Sequence, residues 1–456
     1  MKKILLSISM LVFVSLSLFA CGKKALVIWV GVESVDYYTE VVADYKALYK
    51  AEKNKDFPHA IEVKGVDTGT AAATFLNDTD AGADILTIAH DNLARLTSGS
   101  SAIAPITDQT LIDQVKNDNV PEYVAVTKST VQGTEYSFGV PYIGQALILY
   151  YDKSKISDTQ AQSWEGILEA AAAAKKQAFS LTGTDGYNNS FLLLAVEESS
   201  KTSSIKIYDG GVQDACNATG ADVLSFMKYG QEVLFDMNNP YAGRRTTDSG
   251  WTVELTQGQS LSVVGGAWHY NAAKAALGTN LGIAKLPTFT LTTDTVYDVD
   301  NNQDLVGKTY RSGTFADIKM FVKKKDSKFA EYLDGILKYL SSPEVQEGSF
   351  INANNLPSYK NASAEFDSLQ LANATTDAQK EAIALANAQL GMFEYGIPQP
   401  FGVSSNFNFY FYSKNAPEMM MDLLDNIKGT GSLRNDAAIL AEMTKVQNIW
   451  KTGNAE

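Results

Sequence analysis

Four short segments place small polar side chains at expected strand-to-helix turns, and three of them hold aromatic residues at the same turns. The segments are residues 84–91, 185–189, 265–271 and 406–412. Trp and Tyr faces pack against apolar C–H surfaces, while Asp and Asn side chains exchange hydrogen bonds with hydroxyl groups. A sugar ring offers both kinds of surface. One such segment is weak support, because an aromatic residue near a turn usually belongs to the core, but four together favour non-covalent carbohydrate binding.

Other chemistry leaves no comparable pattern. The three histidines, His59, His90 and His269, lie far apart and none has metal-ligand spacing to another. No glycine-rich phosphate loop follows a strand, and no pair stands out among the 52 acidic residues as a glycosidase pair. We therefore expect a binding protein without metal or cofactor, and not an enzyme.

The elements that carry these segments alternate between strand and helix. Residues 25–30, 61–66 and 83–88 read as strands, and helical patterns separate them. This alternation predicts an α/β domain with a largely parallel sheet, in which ligands bind beyond the carboxyl ends of strands. A second alternating series runs from residue 146 to 286 and includes an apolar helix at 191–196.

The remaining chain is less regular. Residues 288–308 are polar and predict a long loop or hairpin, and the last hundred residues read as mostly helical. Composition limits the partners, since the formal net charge is −14 over 456 residues. Such an acidic chain does not suit nucleic acid or anionic lipid.

The N-terminus has the pattern of an export signal. Lys2 and Lys3 precede an apolar run that ends in small residues, and Cys21 follows directly. This predicts a signal peptide over 1–20, a lipidated Cys21 with a short tether over 21–24, and a protein anchored on the outer face of a membrane. A lipidated Cys21 leaves Cys216 without a disulfide partner, and we expect Cys216 to be a small buried residue.

Several motifs occur in an order that resembles a known family. They are Leu26-Val27-Ile28-Trp29-Val30, Ala83-Asp84-Ile85-Leu86 with Ala89-His90-Asp91, Val140-Pro141-Tyr142 followed by residues 146–153, Ser163-Trp164-Glu165, Leu286-Pro287-Thr288 and Ile397-Pro398-Gln399-Pro400. Together they resemble the extracellular solute-binding proteins of bacterial sugar-import ABC transporters, in particular the maltose/maltodextrin-binding branch. The resemblance covers nearly all of the chain after the signal peptide.

The resemblance implies an α/β, two-lobed, periplasmic-binding-protein-like fold with a ligand cleft between the lobes. One lobe would hold residues 25–143 and 312–357, and the other residues 145–310 and 358–456. A three-segment hinge would join the lobes and close them on the ligand. Its first crossing would lie near Gly144 and Gln145, where glycine suits a bending segment.

The resemblance also implies positions for the ligand. The matching residues are Glu33, Asp91, Gln145, Asp185, Tyr187 and Trp268, together with Tyr410 and Tyr412 from an aromatic platform within 409–412. The chain departs from the family where a cleft tryptophan is Ile88, a hinge-side glutamate is Gln145, and an arginine is Asn92. These departures remove one stacking surface and two charges, so they put maltodextrin itself in doubt.

The resemblance implies a monomer that delivers a sugar or oligosaccharide to ABC permease subunits in the membrane. Three alternatives remain open: the same fold binding a peptide or polyamine, a surface carbohydrate-active hydrolase, and a ligand sensor that signals to a receptor.

Overall fold

The structure is a computed structural model of the chain. It describes residues 25–119, 121–183, 186–206, 208–209, 212–213, 216–247, 250–353, 355–359, 375–393, 395–399, 411, 415–425 and 432–455.

The strands of the described residues are, in chain order, β1 (Leu26–Val30), β2 (Ile61–Gly65), β3 (Ile85–Ala89), β4 (Ile103–Ala104), β5 (Lys128–Val131), β6 (Thr134–Ser137), β7 (Gly139–Gln145), β8 (Ile148–Asp152), β9 (Ser180–Thr182), β10 (Val196–Glu197), β11 (Thr202–Ser203), β12 (Tyr208–Asp209), β13 (Val212–Gln213), β14 (Arg244–Thr246), β15 (Ser262–Gly265), β16 (Leu281–Ala284), β17 (Thr288–Thr290), β18 (Thr309–Arg311), β19 (Phe315–Lys324), β20 (Leu356–Pro357) and β21 (Ile397–Pro398).

The α-helices are α1 (Val35–Lys53), α2 (Ala71–Asn77), α3 (Leu93–Thr97), α4 (Gln109–Asp118), α5 (Pro121–Ala125), α6 (Trp164–Ala174), α7 (Ala221–Tyr229), α8 (Gly250–Thr256), α9 (Tyr270–Leu277), α10 (Ala330–Leu340), α11 (Pro343–Ala353), α12 (Asp377–Phe393), α13 (Ala416–Asp425) and α14 (Asp436–Thr452). Single 3₁₀ turns follow three strands: His90–Asn92 comes directly after β3, and Val32–Ser34 and Ala267–His269 come one glycine after β1 and β15.

The N-terminal lobe is built on a mixed sheet in the order β2-β1-β3-β19-β7-β20, with β4 and β21 also pairing with β19. The central strand β3 is buried along its whole length, as expected for a strand covered on both faces. The edge strand β2 alternates between half-buried and exposed residues. Tyr38, Val41, Val42 and Tyr45 form the buried stripe of α1.

The expectation of a largely parallel sheet is only half right. Strand β1 pairs in parallel with β2 and β3, but β19 runs antiparallel to both β3 and β7. The chain reaches β19 by returning from the other lobe, and not through a helical crossover beside β3. It therefore enters this sheet from the opposite end.

The C-terminal lobe contains a sheet in the order β14-β9-β15-β8-β16 and a smaller antiparallel one in the order β11-β10-β18-β17. Ser163 begins α6, since its Oγ accepts a hydrogen bond from the Gly166 N–H at 3.2 Å, as its position predicts. Strands β17 and β18 pair with Thr288 opposite Arg311. The polar 288–308 segment is thus the connection of a hairpin, as predicted.

The prediction of a helix at residues 191–196 is wrong. A 3₁₀ turn covers Asn188–Ser190, and the chain then reaches β10 through buried turns. The carbonyl of Phe191 accepts a hydrogen bond from the Gly313 N–H at 2.7 Å. A side chain on Gly313 would meet the Leu194 carbonyl at 1.7 Å. This contact with a distant segment takes the place of helical hydrogen bonding.

Two chain crossings between the lobes lie side by side. Strand β7 of the N-terminal lobe leads into β8 of the C-terminal lobe, and β18 leads back into β19. The Leu147 N–H donates a hydrogen bond to Thr314 Oγ1 at 2.9 Å and links the two crossings. Helix α12 packs against β16 of one sheet and against β7 and β20 of the other. The exact lobe bounds stay a prediction.

Gly144 has a different role from the one expected. It lies within β7, paired with Ile318 and Leu356, and so belongs to the sheet. A Cβ at this position would meet Tyr123 Oη at 2.6 Å and the Phe393 ring at 3.0 Å. Close packing of Tyr123 from α5 and Phe393 from α12 therefore requires glycine here.

Candidate ligand-binding cleft

A cleft of about 690 Å³ opens between the two lobes. Its walls come from both lobes, and β19 of the N-terminal lobe contributes to one of them. The lining residues are Val32, Glu33, Asp67, Thr68, Gly69, Ala89, Asp91, Asn92, Arg95, Tyr187, Asn188, Trp268, His269, Asp317, Lys319 and Gln399. The N-terminal wall follows the carboxyl ends of β1, β2 and β3, which are parallel neighbours and so meet at one sheet edge.

Asp91 lies at the end of β3, in the 3₁₀ turn that precedes α3. Its Oδ1 accepts a hydrogen bond from Asn92 Nδ2 at 3.0 Å. Burial raises the pKa of Asp91 to about 6, and the nearby Asp317 adds to this, whereas Arg95 acts in the opposite direction. The carboxyl group is therefore ionised at neutral pH at an energetic cost that accepting ligand hydroxyls would offset.

His90 lies beneath this turn and holds β19 in place. Its Nδ1 accepts a hydrogen bond from the Ile318 N–H at 3.1 Å, which assigns the proton to Nε2. Nε2 then donates to the Gln399 carbonyl at 3.3 Å. Nδ1 also lies 3.6 Å from Asp317 Oδ1, but this is not an ion pair because that nitrogen carries no proton. Gln399 Nε2 donates to Asp317 Oδ1 at 2.8 Å.

Trp268 supplies the apolar surface of the C-terminal wall. It follows β15 and lies half-buried, with its ring 5.8 Å from that of Tyr187 at an angle of 55°. The Tyr187 hydroxyl donates to the Phe315 carbonyl at 3.3 Å. Two inclined aromatic faces at a cleft wall suit a ring-shaped ligand with apolar C–H groups.

His269 packs beside the tryptophan. Its ring lies 5.4 Å from that of Trp268 and 4.8 Å from that of Trp251. Burial lowers the pKa of His269 to about 4, so the ring is neutral at neutral pH. Within the described part of the chain, its Nδ1 has no hydrogen-bond partner. This nitrogen is itself buried, and its lack of a partner adds to the cost of burying the ring.

Two cations face the carboxylates in the cleft. Arg95 is exposed and lies four residues after Asp91 on the same helical face. Lys319 projects from the middle of β19 and is only 8% exposed. Its ammonium donates to Thr68 Oγ1 and lies 5.5 Å from the centre of the Trp268 ring. A wall with acceptors, cationic donors and aromatic faces suits a polyhydroxylated ligand.

The structure brings four of the expected site residues together, namely Glu33, Asp91, Tyr187 and Trp268. Gln145 does not line the cleft. It lies buried in β7 opposite Asp317, and neither polar atom of its amide has a partner among the described residues. The positions that fall outside the described residues are Cys21, Asp185, Tyr410 and Tyr412.

The sequence reasoning missed several lining residues, above all Asp67, Arg95, Asp317 and Lys319. Arg95 had a usable signal, because a spacing of four places it on the same helical face as Asp91. Arg95 and Lys319 also supply positive charge in the cleft where the departures from the family pattern predicted a loss.

A larger cavity of about 890 Å³ lies between α12 and the edge strand β16. Its polar groups are largely paired with one another. Lys274 Nζ lies 2.5 Å from Glu381, and the Tyr151 hydroxyl donates to Asp158 at 2.6 Å. This cavity lacks the convergence of aromatic and polar groups from both lobes that the cleft has, which makes the cleft the better candidate site.

Among the described residues, no three or more His, Cys, Asp and Glu side chains are grouped to hold a metal ion. Over the same ranges, no helix has both the length and the apolar character needed to cross a bilayer. Cys216 is a free, buried cysteine, as expected, and burial raises its pKa to about 12.

Solved structures of similar architecture support the two-lobed fold. The maltodextrin-binding protein MalE1 of L. casei BL23, without ligand, has a TM-score of 0.67 and 18% identity, covering 93% of this chain and 99% of that chain. A protein solved with acarbose has a TM-score of 0.69 and 19% identity, covering 95% and 100%. The GacH receptor of Streptomyces glaucescens GLA.O, solved unliganded and with acarbose and an acarbose homologue, has a TM-score of 0.62 and 17% identity, covering 94% and 100%.

These likenesses confirm the expected fold class, and no curated protein sequence matches the chain. A family model described as bacterial extracellular solute-binding protein matches residues 41–390. Since this match spans most of the chain, the protein belongs to the bacterial extracellular solute-binding family.

Proposed function

We propose that this protein binds a sugar or oligosaccharide in the cleft and delivers it to the permease of an ABC importer, without chemical change to the ligand. The observation that carries the proposal is the placement of Trp268 and Tyr187 on one wall of the cleft and Asp91 and Asp317 on the other. A pyranose between the walls would stack on the aromatic rings and donate its hydroxyl hydrogens to the carboxylates.

Binding would favour the closed arrangement of the lobes, because only that arrangement lets the ligand contact both walls. Hydrogen bonds from ligand hydroxyls to charged groups contribute about 1.5–3 kcal/mol each and add to the stacking on the aromatic rings. The similar proteins solved with acarbose bind a sugar-like ligand, which supports a carbohydrate in this cleft as well.

We further propose that Cys21 is lipidated and anchors the protein on the outer face of the cell membrane. The sequence around Cys21 supports this, and the family is extracellular. In a cell without an outer membrane, an unanchored binding protein would diffuse away from its permease.

A thermal-shift screen followed by calorimetry tests the function. The purified protein is mixed with oligosaccharides of several linkages and lengths, and with peptides and polyamines. A bound ligand raises the melting temperature, since it binds only the folded state. Stabilisation by sugars alone supports the proposal, whereas stabilisation by peptides or polyamines alone refutes it. Release of shorter products from an oligosaccharide during the assay would indicate a hydrolase.

A further inference from the structure

Lys319 is a buried cation at the meeting point of the two lobes. It lies in the middle of β19 in the N-terminal lobe, and its ammonium donates to Thr68 Oγ1. The same ammonium lies 5.5 Å from the ring centre of Trp268, which belongs to the C-terminal lobe. Lys319 therefore presents a positive charge over the aromatic ring on which the proposed ligand stacks.

A second buried lysine on the same strand, Lys323, shows that the unusual feature of Lys319 is its lack of an ion-pair partner in the described part of the chain. Lys323 is also buried, with 7% exposure against 8% for Lys319. Lys323 has an ion pair, with Nζ 2.5 Å from Asp334 Oδ1. Among the described residues, no carboxylate lies within 4.0 Å of the Lys319 ammonium. Burying a cation without an anionic partner is costly, so its presence in a binding cleft calls for a partner from outside the chain.

Two of the cleft carboxylates, Asp317 and Asp91, already have other partners. Asp317 accepts from Gln399 Nε2 at 2.8 Å, and Asp91 accepts from Asn92 Nδ2 at 3.0 Å. Arg95, the second cation of the cleft, also has no carboxylate within ion-pair distance in the described part of the chain. Among the described residues, neither cation of the cleft is thus in an ion pair with one of the four carboxylates that line it, Glu33, Asp67, Asp91 and Asp317.

We propose that Lys319 selects ligands that carry a carboxylate, namely oligosaccharides containing a uronic acid. This inference rests on the proposed carbohydrate function. A sugar ring stacked on Trp268 lies next to the ammonium, so a carboxylate on that ring replaces the missing ion-pair partner. Ammonium–carboxylate hydrogen bonds are roughly twice as strong as those between neutral groups, and the sheltered site strengthens them further. The ring hydroxyls still donate to Asp91 and Asp317.

Calorimetry with matched ligands tests the inference. Each ligand is an oligogalacturonide, an alginate oligosaccharide or a glucuronoxylan fragment, and each is compared with its carboxyl-reduced counterpart, which keeps linkage and stereochemistry but loses the charge. At least one acidic oligosaccharide should bind ten-fold or more tightly than its reduced form, and its affinity should fall as salt rises. Lys319→Met should remove this preference, whereas Lys323→Met, the matched control on the same strand, should keep it.

The outcomes separate this inference from the proposed function. If the reduced or other neutral sugars bind as tightly as the acidic ones, the carboxylate inference is wrong and the carbohydrate function stands. If no sugar binds, both are wrong. Retention of the preference in Lys319→Met also refutes the role of this lysine. The comparison of ligands on the unmodified protein decides the matter even if a variant does not fold.

Discussion

Trp268 lies directly over Gly266, so closely that a Cβ on the glycine would meet the indole ring at 2.1 Å. Gly266 has extended backbone angles that other residues adopt, so the need for glycine here comes from space alone. The absent side chain lets the indole lie flat against the backbone at the end of β15. The orientation of the proposed stacking surface thus depends on this pair.

Gly266→Ala should therefore displace the indole and lower ligand affinity by ten-fold or more, with a small effect on folding. Calorimetry with the ligand found in the screen measures the affinity, and circular dichroism checks the fold. Gly335→Ala is the control, because the new Cβ would lie in the interior of α10 with its nearest neighbour, Tyr45 Oη, at 3.3 Å. Equal affinities for the two variants would contradict the prediction.

Trp268→Ala should abolish measurable binding while leaving the fold largely intact. The indole is half-buried, so its loss removes the stacking surface at less cost to the core than loss of a fully buried tryptophan such as Trp164. Trp268→Phe keeps an aromatic face and should retain part of the affinity. Calorimetry and thermal unfolding of the three proteins measure both effects. Unchanged affinity in Trp268→Ala would reject the role of this residue.

The sequence alone pointed to Asp91 and Trp268 because both follow an apolar strand at a polar turn. That position places a side chain at the carboxyl edge of a sheet whatever the details of packing. The alternation of strands and helices likewise predicted the α/β class, whereas the two lobes followed only from the family resemblance. The direction of β19 was not accessible, since it depends on the chain crossing to the other lobe and back.

The position of Lys319 in the cleft could not be predicted from the sequence. Lys319 lies between Ile318 and Met320 in a strand that ends with Lys323 and Lys324, and Lys325 follows directly. The pattern gives no reason to separate Lys319 from these lysines. Only the packing of β19 between β3 and β7 directs it into the cleft. Gln145 is the converse case, since the resemblance placed it at the ligand and the fold buries it beneath the cleft.

Asp91→Asn should stabilise the ligand-free protein at pH 8 but not at pH 4. The pKa of Asp91 is raised from 3.8 to about 6, so the folded state holds this proton more tightly than the unfolded chain. The contribution of Asp91 to the free energy of unfolding therefore falls as the pH rises from about 4 to about 6. Asparagine does not ionise, so the variant keeps the free energy of unfolding that ionised Asp91 loses, on the order of 2 kcal/mol for a half-buried group.

Urea unfolding of Asp91→Asn and the unmodified protein at pH 4, 5, 6 and 8 measures the difference. The gain from asparagine should grow with pH and level off above about pH 6. A difference that is constant over this range, or largest in acid, would show that burial does not raise the pKa of this carboxyl group. The same variant should bind the ligand more weakly at pH 8, because an amide is a poorer acceptor for hydroxyl groups.

Thr314→Val should destabilise the connection between the lobes. Thr314 is 1% exposed, and its Oγ1 accepts the Leu147 N–H at 2.9 Å. Valine has nearly the same shape but leaves that buried N–H without its acceptor, which costs about 1–3 kcal/mol. Thr39→Val is the control, since Thr39 is exposed on α1 and bonds only to the Val35 carbonyl of its own helix. Urea unfolding should place the control within about 0.5 kcal/mol of the unmodified protein.

Cys21→Ser should release the protein into the medium in a form that still binds its ligand. Serine offers a hydroxyl where lipidation requires a thiol, so the acyl anchor is not attached, while the cleft is built from residues far along the chain. Fractionation of cells into membrane and medium, followed by calorimetry on the released protein, measures both properties. Export itself should continue, because Lys2, Lys3 and the apolar run after them are unchanged. Membrane retention of this variant would show that the apolar segment stays uncleaved as an anchor, and loss of binding would show that the released chain had misfolded.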